Sequence, residues 1–191
     1  MYPKTLFDTI SSFIKKNGCS GYDVAVDVAC GSGQSTFPLY NLFQKVIGVD
    51  ISEAQITNAR AKIATTLQGS KNIKFMVGDA HNLCLDSSSA DLITCATAWH
   101  WLDSELFYRE AKRILKPKGC LAVYGYTEGM QWWEIITARH LCQASLIASE
   151  RKAFGMRGTA IVMTSMQPQN SHLLTHNDMS FSCPGKLILP I

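Results

Sequence analysis

Two glycines and an acidic residue stand at the spacing of a ribose-binding turn. Gly31 and Gly33 follow a strand-like run at 23–30, and the lack of a Cβ lets the backbone there turn sharply and approach a ligand closely. Asp50 ends the next strand-like run, 19 residues after Gly31. A carboxylate at that point can accept hydrogen bonds from both ribose hydroxyls, and it repels a phosphorylated ribose. The pattern therefore predicts a site for an unphosphorylated ribose.

Three further positions indicate which nucleotide the turn would hold. A dinucleotide-binding turn would carry its third glycine at position 36, where this chain has Thr36. Asp27 adds a carboxylate near the end of the first strand, and Asp79 follows the third strand, where it can accept a hydrogen bond from an adenine amino group. Three carboxylates around one crevice would repel a pyrophosphate and attract an adenosyl sulfonium with a free amino group. The charges thus favour S-adenosyl-L-methionine, and a nicotinamide-dependent oxidoreductase fits neither Thr36 nor Asp79.

The order of elements predicts an α/β fold with a doubly wound, mostly parallel sheet. Short apolar runs alternate with longer amphipathic segments, as in parallel sheets with crossover helices. The predicted strands are 23–30, 45–50, 72–77, 91–96 and 119–125. The predicted helices are 34–43, 52–67 with Ser52 as its N-cap, and one that is capped by Asp103 and ends at Lys116 and Pro117. The apolar face of this last helix is expected to lie in the core, and it carries Leu106, Phe107, Ala111, Ile114 and Leu115. In such a sheet the ligand lies at the carboxyl ends of the strands, where the strand order reverses.

Five motifs, in this order, resemble the class I S-adenosylmethionine-dependent methyltransferases. They are 26–34 (VDVACGSGQ), 46–52 (VIGVDIS), 78–80 (GDA), 98–101 (AWHW) and 116–119 (KPKG). Within these Rossmann-like enzymes the chain is most similar to the type 11 branch that includes the trans-aconitate-type enzymes. The resemblance covers about residues 2–126, and it implies a methyltransferase domain at 1–139 followed by an atypical tail at 140–191.

The resemblance implies a role for each matching position. The methionine part of the donor would lie beside Asp27, Gly31 and Gly33, and Ala29 stands where the family usually has the first glycine of its turn. Asp50 and Ile51 would hold the ribose, and Asp79 and Ala80 the adenine. The segment from Thr97 to Trp101, with His100 at its centre, would border the methyl group. No catalytic residue is assigned, because methyl transfer to a carboxylate needs no general base; we interpret His100 as a hydrogen-bonded pocket residue, and the tryptophans beside it as either a wall of the site or core.

Both ends of the chain depart from the family. Only Tyr2 and Pro3 match the segment that follows the family's lid helix, and the terminal antiparallel hairpin is missing or unrecognisable. Residues 127–155 are expected to continue as helix, and 164–184, rich in Ser, Gln, Asn, His and Pro, to be irregular. We therefore expect a chain shortened at both ends; if it is a non-catalytic fragment, the fifth strand would be left as an unpaired edge.

Composition excludes several other classes of protein. A formal charge of +3 is too small to indicate nucleic-acid binding, and the basic cluster at 112–118 reads as a solvated helix end. The seven cysteines are scattered without metal-ligand spacing, which predicts no metal and a reducing compartment. Without a leader or a membrane-length apolar run, the expectation is a cytoplasmic protein that binds no membrane.

The expected function is S-adenosylmethionine-dependent methylation of a small organic molecule, with a carboxylic acid as one candidate acceptor. The alternative is a catalytically inactive, truncated form of such a methyltransferase. A cofactor titration separates the two, and the oligomeric state cannot be predicted.

Overall fold

A computed structural model describes residues 2–16, 18, 21–66, 72–127, 130–137, 163–164 and 186–187, with side chains as far as residue 125. The helices are α1 (Lys4–Lys16), α2 (Thr36–Leu39), α3 (Glu53–Thr66) and α4 (Ser104–Ile114), with a 3₁₀ turn at Trp99–Trp101. The strands are β1 (Val24–Val28), β2 (Lys45–Asp50), β3 (Ile73–Val77), β4 (Ala90–Ala96), β5 (Leu115–Thr127), β6 (Met130–Thr137), β7 (Met163–Thr164) and β8 (Lys186–Leu187).

One sheet contains all of these strands, in the order β3-β2-β1-β4-β5-β6-β7-β8. The first five of these strands are parallel, and β1 lies between β2 and β4. The chain therefore builds the sheet outward in one direction from β1 and then returns to build it in the other. This reversal confirms the α/β, doubly wound fold predicted from the sequence, and it opens a crevice between the carboxyl ends of β1 and β4.

Both faces of the central strands β1, β2 and β4 are covered by apolar side chains. Neighbouring residues of a strand point to opposite faces, so Leu92 packs with α1, α2 and α3 while Ile93 packs with α4. Helix α1, which the sequence analysis did not predict, buries five residues at helical spacing: Leu6, Phe7, Ile10, Phe13 and Ile14. Strands covered on both faces leave no exposed side until they end, which confines accessible polar groups to the loops.

The second half of the sheet differs from the expectation. Residues 130–137 form β6, not a helix, and β6 pairs antiparallel with β5 from Cys120↔Thr137 to Thr127↔Met130. The expectation that the fifth strand is an unpaired edge is therefore wrong. The segment MQWWEIIT is rich in aromatic and β-branched residues, which favour a strand over a helix.

Three smaller expectations need correction. Helix α2 is much shorter than the predicted 34–43, because the chain turns after Leu39 and Gln44 N–H bonds to the carbonyl of Tyr22 at 2.9 Å. Leu115 belongs to β5, not to the preceding helix, and Leu106 is 37% exposed, not core. The N-cap prediction for α4 is confirmed, since the Asp103 carboxylate accepts the N–H groups of Glu105 and Leu106. The expectations for 138–155 and 165–184 fall on residues that are not described.

The amino ends of the strands are held by a single buried acid, Asp91. The buried carboxylate of Asp91 accepts the backbone N–H groups of Asp23 and Val24 at 3.1 and 2.9 Å. It also pairs with the ammonium group of Lys116 at 2.9 Å, and Lys116 reaches Asp23 as well. Lys116 is thus part of the fold, not of a solvated helix end.

Within the described ranges, none of the helices is long and apolar enough to cross a membrane. The same ranges hold no group of three or more His, Cys, Asp or Glu side chains arranged as metal ligands.

Candidate functional site

The predicted site residues lie within or just after the last residues of β1 and β2 and just after β3 and β4. Asp50 is the last residue of β2, and its carboxylate accepts two backbone hydrogen bonds. Oδ2 accepts the N–H of Gly31 at 2.7 Å, and Oδ1 accepts the N–H of Ser52 at 2.8 Å. The structure therefore joins the glycine turn to the acid as the spacing predicted. Each carboxylate oxygen retains the capacity to accept one more hydrogen bond, and Asp50 is only partly buried.

The turn after β1 uses the left-handed backbone region three times. Ala29, Gly31 and Gly33 have φ of 53°, 53° and 87°. A Cβ on Gly33 would lie 2.8 Å from the rings of Phe37 and Phe75, so only glycine fits there. Ala29 carries its Cβ in this region, where the family's glycine would avoid a cost of roughly 1 kcal/mol.

Asp27 lies beneath this turn, not in the open crevice. Its carboxylate is fully buried and accepts hydrogen bonds from the hydroxyls of Ser35, Thr36 and Thr94. Burial raises the pKa of Asp27, and the three hydroxyl hydrogen bonds oppose that rise. The prediction that Asp27 is one of three acids around the crevice is therefore wrong. The described geometry leaves two acids, Asp50 and Asp79, with oxygens that are accessible.

Asp79 follows β3 and has a half-exposed side chain. Its Oδ1 accepts both the backbone N–H and the Nδ1–H of His81, each at 2.9 Å. These two bonds, the backbone bond first, lower the pKa of Asp79, so the carboxylate is ionised at neutral pH. The N–H of Gly78 bonds to the carbonyl of Asp50 at 3.0 Å, which brings the ends of β2 and β3 together. Ala80 is buried beside them.

The segment after β4 brings side-chain hydroxyl groups to the crevice. Thr97, with φ of 54°, has its Oγ1 2.6 Å from the hydroxyl of Tyr2, and its N–H bonds to the carbonyl of Tyr124 at 2.7 Å. The Tyr124 hydroxyl is buried close to the side chains of Thr94 and Ser35. Burial, and then the nearby Asp27, raise the pKa of Tyr124. Sequence reasoning did not assign Tyr124, since a tyrosine within a strand gives no signal of its own.

The remaining predicted residues form an apolar and aromatic border. Ile51 is 76% exposed and Trp101 is 80% exposed. The ring centroids of His100 and Trp101 lie 4.8 Å apart, and His100 is exposed. This position does not support the interpretation of His100 as a hydrogen-bonded pocket residue. Trp99, by contrast, packs against the rings of Phe107 and Tyr108. One tryptophan thus belongs to the border and the other to the core.

Among the described cysteines, the two that lie beside this site are not nucleophiles. Cys30 and Cys95 are buried next to it, and burial raises the pKa of both thiols. A thiol kept protonated is a poor nucleophile, so the site's reactive capacity lies in its carboxylates and backbone donors.

Comparison with known proteins identifies the same segment. The model of a methyltransferase domain family matches residues 26–123, just over half of the chain. A Dictyostelium discoideum protein named as a methyltransferase is 37% identical over 122 residues, covering 64% of this chain and 43% of its own length. A Saccharomyces cerevisiae protein named as an S-adenosylmethionine-dependent methyltransferase is 30% identical over 128 residues, covering 66% of this chain and 42% of its own length.

A solved structure agrees with these relatives. The crystal structure of an S-adenosylmethionine-dependent methyltransferase from Clostridium acetobutylicum superimposes with a TM-score of 0.55 at 26% identity, over 63% of this chain and 49% of that one. The chain spans less than half the length of the curated relatives described above.

Proposed function

Because this chain belongs to the methyltransferase domain family, we propose that it binds S-adenosyl-L-methionine at the carboxyl ends of β1 to β4 and transfers the donor's methyl group to a small organic molecule. The observation that carries the proposal is the hydrogen bonding of the Asp50 carboxylate. Two backbone N–H groups fix its carboxylate, and neither oxygen is saturated. A fixed, partly exposed acceptor pair is what two adjacent ribose hydroxyls require.

The adenine is proposed to lie against the loop after β3. Oδ1 of Asp79 is occupied by His81, and its Oδ2 is left for the adenine amino group. Ile51, exposed beside Asp50, and the buried Ala80 supply the apolar surface that a base needs on its faces. The negative charge of Asp79 and Asp50 disfavours a phosphate-bearing nucleotide at this position.

The methionine end is proposed to lie over the turn formed by residues 29–33. Asp27 accepts hydroxyl bonds from the start of α2 and from β4, so it acts as a buried brace next to the turn, without direct contact to the ligand. Tyr2 and Thr97 close the opposite side of the crevice. The donor supplies an electrophilic methyl group on a sulfonium, and the protein's contribution is to hold the acceptor in line with it and keep water out.

The acceptor would approach past the segment from Thr97 to Trp101. No residue is assigned as a general base, which suits an acceptor that is already nucleophilic, such as a carboxylate. An exposed Trp101 offers a flat apolar wall to a small organic acceptor of the kind that the trans-aconitate-type branch methylates. The modest charge and the buried thiols support a cytoplasmic enzyme without a nucleic-acid substrate.

Isothermal titration with S-adenosylhomocysteine, the demethylated donor, tests the binding site. We expect one ligand per chain, and at least tenfold weaker binding in Asp50→Asn, where an amide donor faces the backbone N–H groups and the ribose. The control is Asp8→Asn, an exposed residue of α1 that pairs with Lys4. Its affinity should equal that of the wild type. An absence of heat in the folded wild-type chain would contradict the proposal.

Methyl transfer is tested separately with a donor carrying a labelled methyl group and a panel of small carboxylic acids, phenols and amines. Label in a carboxylic acid would support the proposed acceptor class. Binding of the demethylated donor without transfer to any class would favour the alternative, a chain of methyltransferase fold that is not itself catalytic.

A further inference from the structure

His81 connects two parts of the site that are distant in sequence. On one side its Nδ1 lies 2.9 Å from Oδ1 of Asp79. On the other side its Nε2 lies 3.0 Å from the backbone nitrogen of Asp103. The imidazole thus bridges the loop after β3 and the first turn of α4.

These contacts define the protonation state of the ring. A backbone N–H can only donate, so Nε2 must accept and carries no proton. The ring proton is therefore on Nδ1, where it is donated to the Asp79 carboxylate. A proton on Nε2 would bring two donors face to face at the Asp103 contact, which would break it.

Each end of the bridge touches a group with a role in the site. At Asp79 the imidazole and the His81 backbone N–H both bind Oδ1, which fixes the carboxylate plane and leaves Oδ2 accessible. At the other end Asp103 caps α4 and follows Trp101 by two residues. The position of the border segment is therefore linked, through His81, to the orientation of the acid on the adenine side.

We propose that His81 is a positioning residue: as a neutral imidazole protonated on Nδ1, it orients Asp79 to accept the adenine amino group and anchors the start of α4 below the methyl-transfer segment. The inference rests on the proposed function, because it assigns the adenine to Asp79. It adds a residue outside the glycine turn and the strand-end acids, and it concerns recognition of the base, not the transfer step.

Substitutions can separate the two contacts of the ring. An asparagine side chain can place an amide N–H near the position of Nδ1, and a glutamine side chain can place a carbonyl oxygen near that of Nε2. His81→Asn should therefore keep the bond to Asp79 and lose the one to Asp103, and His81→Gln should do the reverse. His81→Ala loses both, and Asp8→Asn serves again as the control.

The test compares binding of S-adenosylhomocysteine with binding of S-inosylhomocysteine, in which a carbonyl oxygen replaces the adenine amino group. We expect His81→Ala and His81→Gln to bind the adenosyl ligand about tenfold more weakly, and His81→Asn to recover most of that loss. Binding of the inosyl ligand should change little in all three, because it has no amino group for Asp79. Nitrogen-15 NMR of the folded wild type should find Nδ1 protonated and Nε2 unprotonated.

Three results would overturn the inference while leaving the donor site intact: unchanged adenosyl affinity in His81→Ala, an equal loss for both ligands, or a proton on Nε2. A wild-type chain that binds neither ligand would instead remove the proposed function, and the base-recognition role of His81 with it. Circular dichroism melts on each variant separate a lost contact from a failure to fold.

Discussion

The two ends of the parallel sheet each carry an acid that accepts two backbone N–H groups, and the two acids differ in what else they hold. At the amino end, Asp91 is buried and neutralised by the ammonium of Lys116. At the carboxyl end, Asp50 is partly exposed and has no cationic partner among the described residues. An acid whose hydrogen-bond acceptors and charge are all paired within the protein stabilises the fold. An acid with unused acceptors and no counter-charge can instead bind a ligand. Substitutions at the amino end should therefore change stability alone, and those at the carboxyl end should change ligand binding.

The largest effect on stability is expected from Asp91→Ala. The change leaves two backbone donors and the Lys116 ammonium without their shared acceptor, at a cost of about 3 kcal/mol in the free energy of unfolding. Affinity for S-adenosylhomocysteine should not change. Denaturant unfolding and calorimetric titration measure the two quantities. Asp23→Ala, which loses a more exposed contact to the same lysine, should cost less than 1 kcal/mol. Equal losses of stability in Asp91→Ala and Asp23→Ala would contradict the difference expected between the buried and the exposed partner of Lys116.

Gly33→Ala should affect both stability and binding. Its Cβ would meet two aromatic rings at 2.8 Å in a left-handed backbone, for a cost of about 2 kcal/mol and a weaker donor affinity. Gly31→Ala is the matched control, since its φ is also positive but the nearest atom to a Cβ would be 4.0 Å away. It should cost about half as much. A Gly33→Ala chain with wild-type affinity would show that the turn does not shape the site.

A second structural network should make the free energy of unfolding depend on pH. In it, Glu110 accepts the N–H of Leu83 and pairs with Arg113 at 2.7 Å. Arg113 holds the pKa of Glu110 below its ordinary value of 4.5. The ionised pair therefore contributes fully above pH 4.5, and its contribution falls as the pH drops through the lower pKa of the folded state. Glu110→Gln should cost about 1 kcal/mol at neutral pH, and its stability should approach that of the wild type in acid. A difference that stays constant down to pH 3 would exclude this origin, and donor affinity at neutral pH should be unchanged.

The smallest expected effect is a gain. Ala29→Gly relieves a side chain in the left-handed region, offset in part by the greater freedom of glycine in the unfolded chain, for a net stabilisation of about 0.5 kcal/mol. Donor affinity should stay the same or rise slightly. A loss of stability in unfolding measurements would show that the Ala29 methyl group contributes more packing than it costs.

How far the sequence predicts this molecule depends on whether a feature is local. The glycine turn, Asp50 and the cap at Asp103 follow from spacing along the chain, and all three were predicted. Helix α1 was not predicted, although its apolar residues recur at helical spacing, because it lies outside all five motifs. Asp27 was predicted to line the crevice, but it is buried. A strand covered on both faces buries its side chains up to its last residues.

The contacts of His81 could not have been predicted from the sequence. Its partner Asp103 is 22 residues away, beyond β4, so the contact forms only when the chain folds and brings the two loops together. For β6, the composition of 130–137 favours a strand, but it does not specify β5 as the antiparallel partner.

A crystal structure with S-adenosylhomocysteine would show directly whether Asp50 holds the ribose. We expect both ribose hydroxyls within about 3 Å of the Asp50 carboxylate, with the bonds from Gly31 and Ser52 kept, and the adenine amino group on the free oxygen of Asp79. A ligand whose ribose faces solvent, or one bound away from the glycine turn, would contradict it.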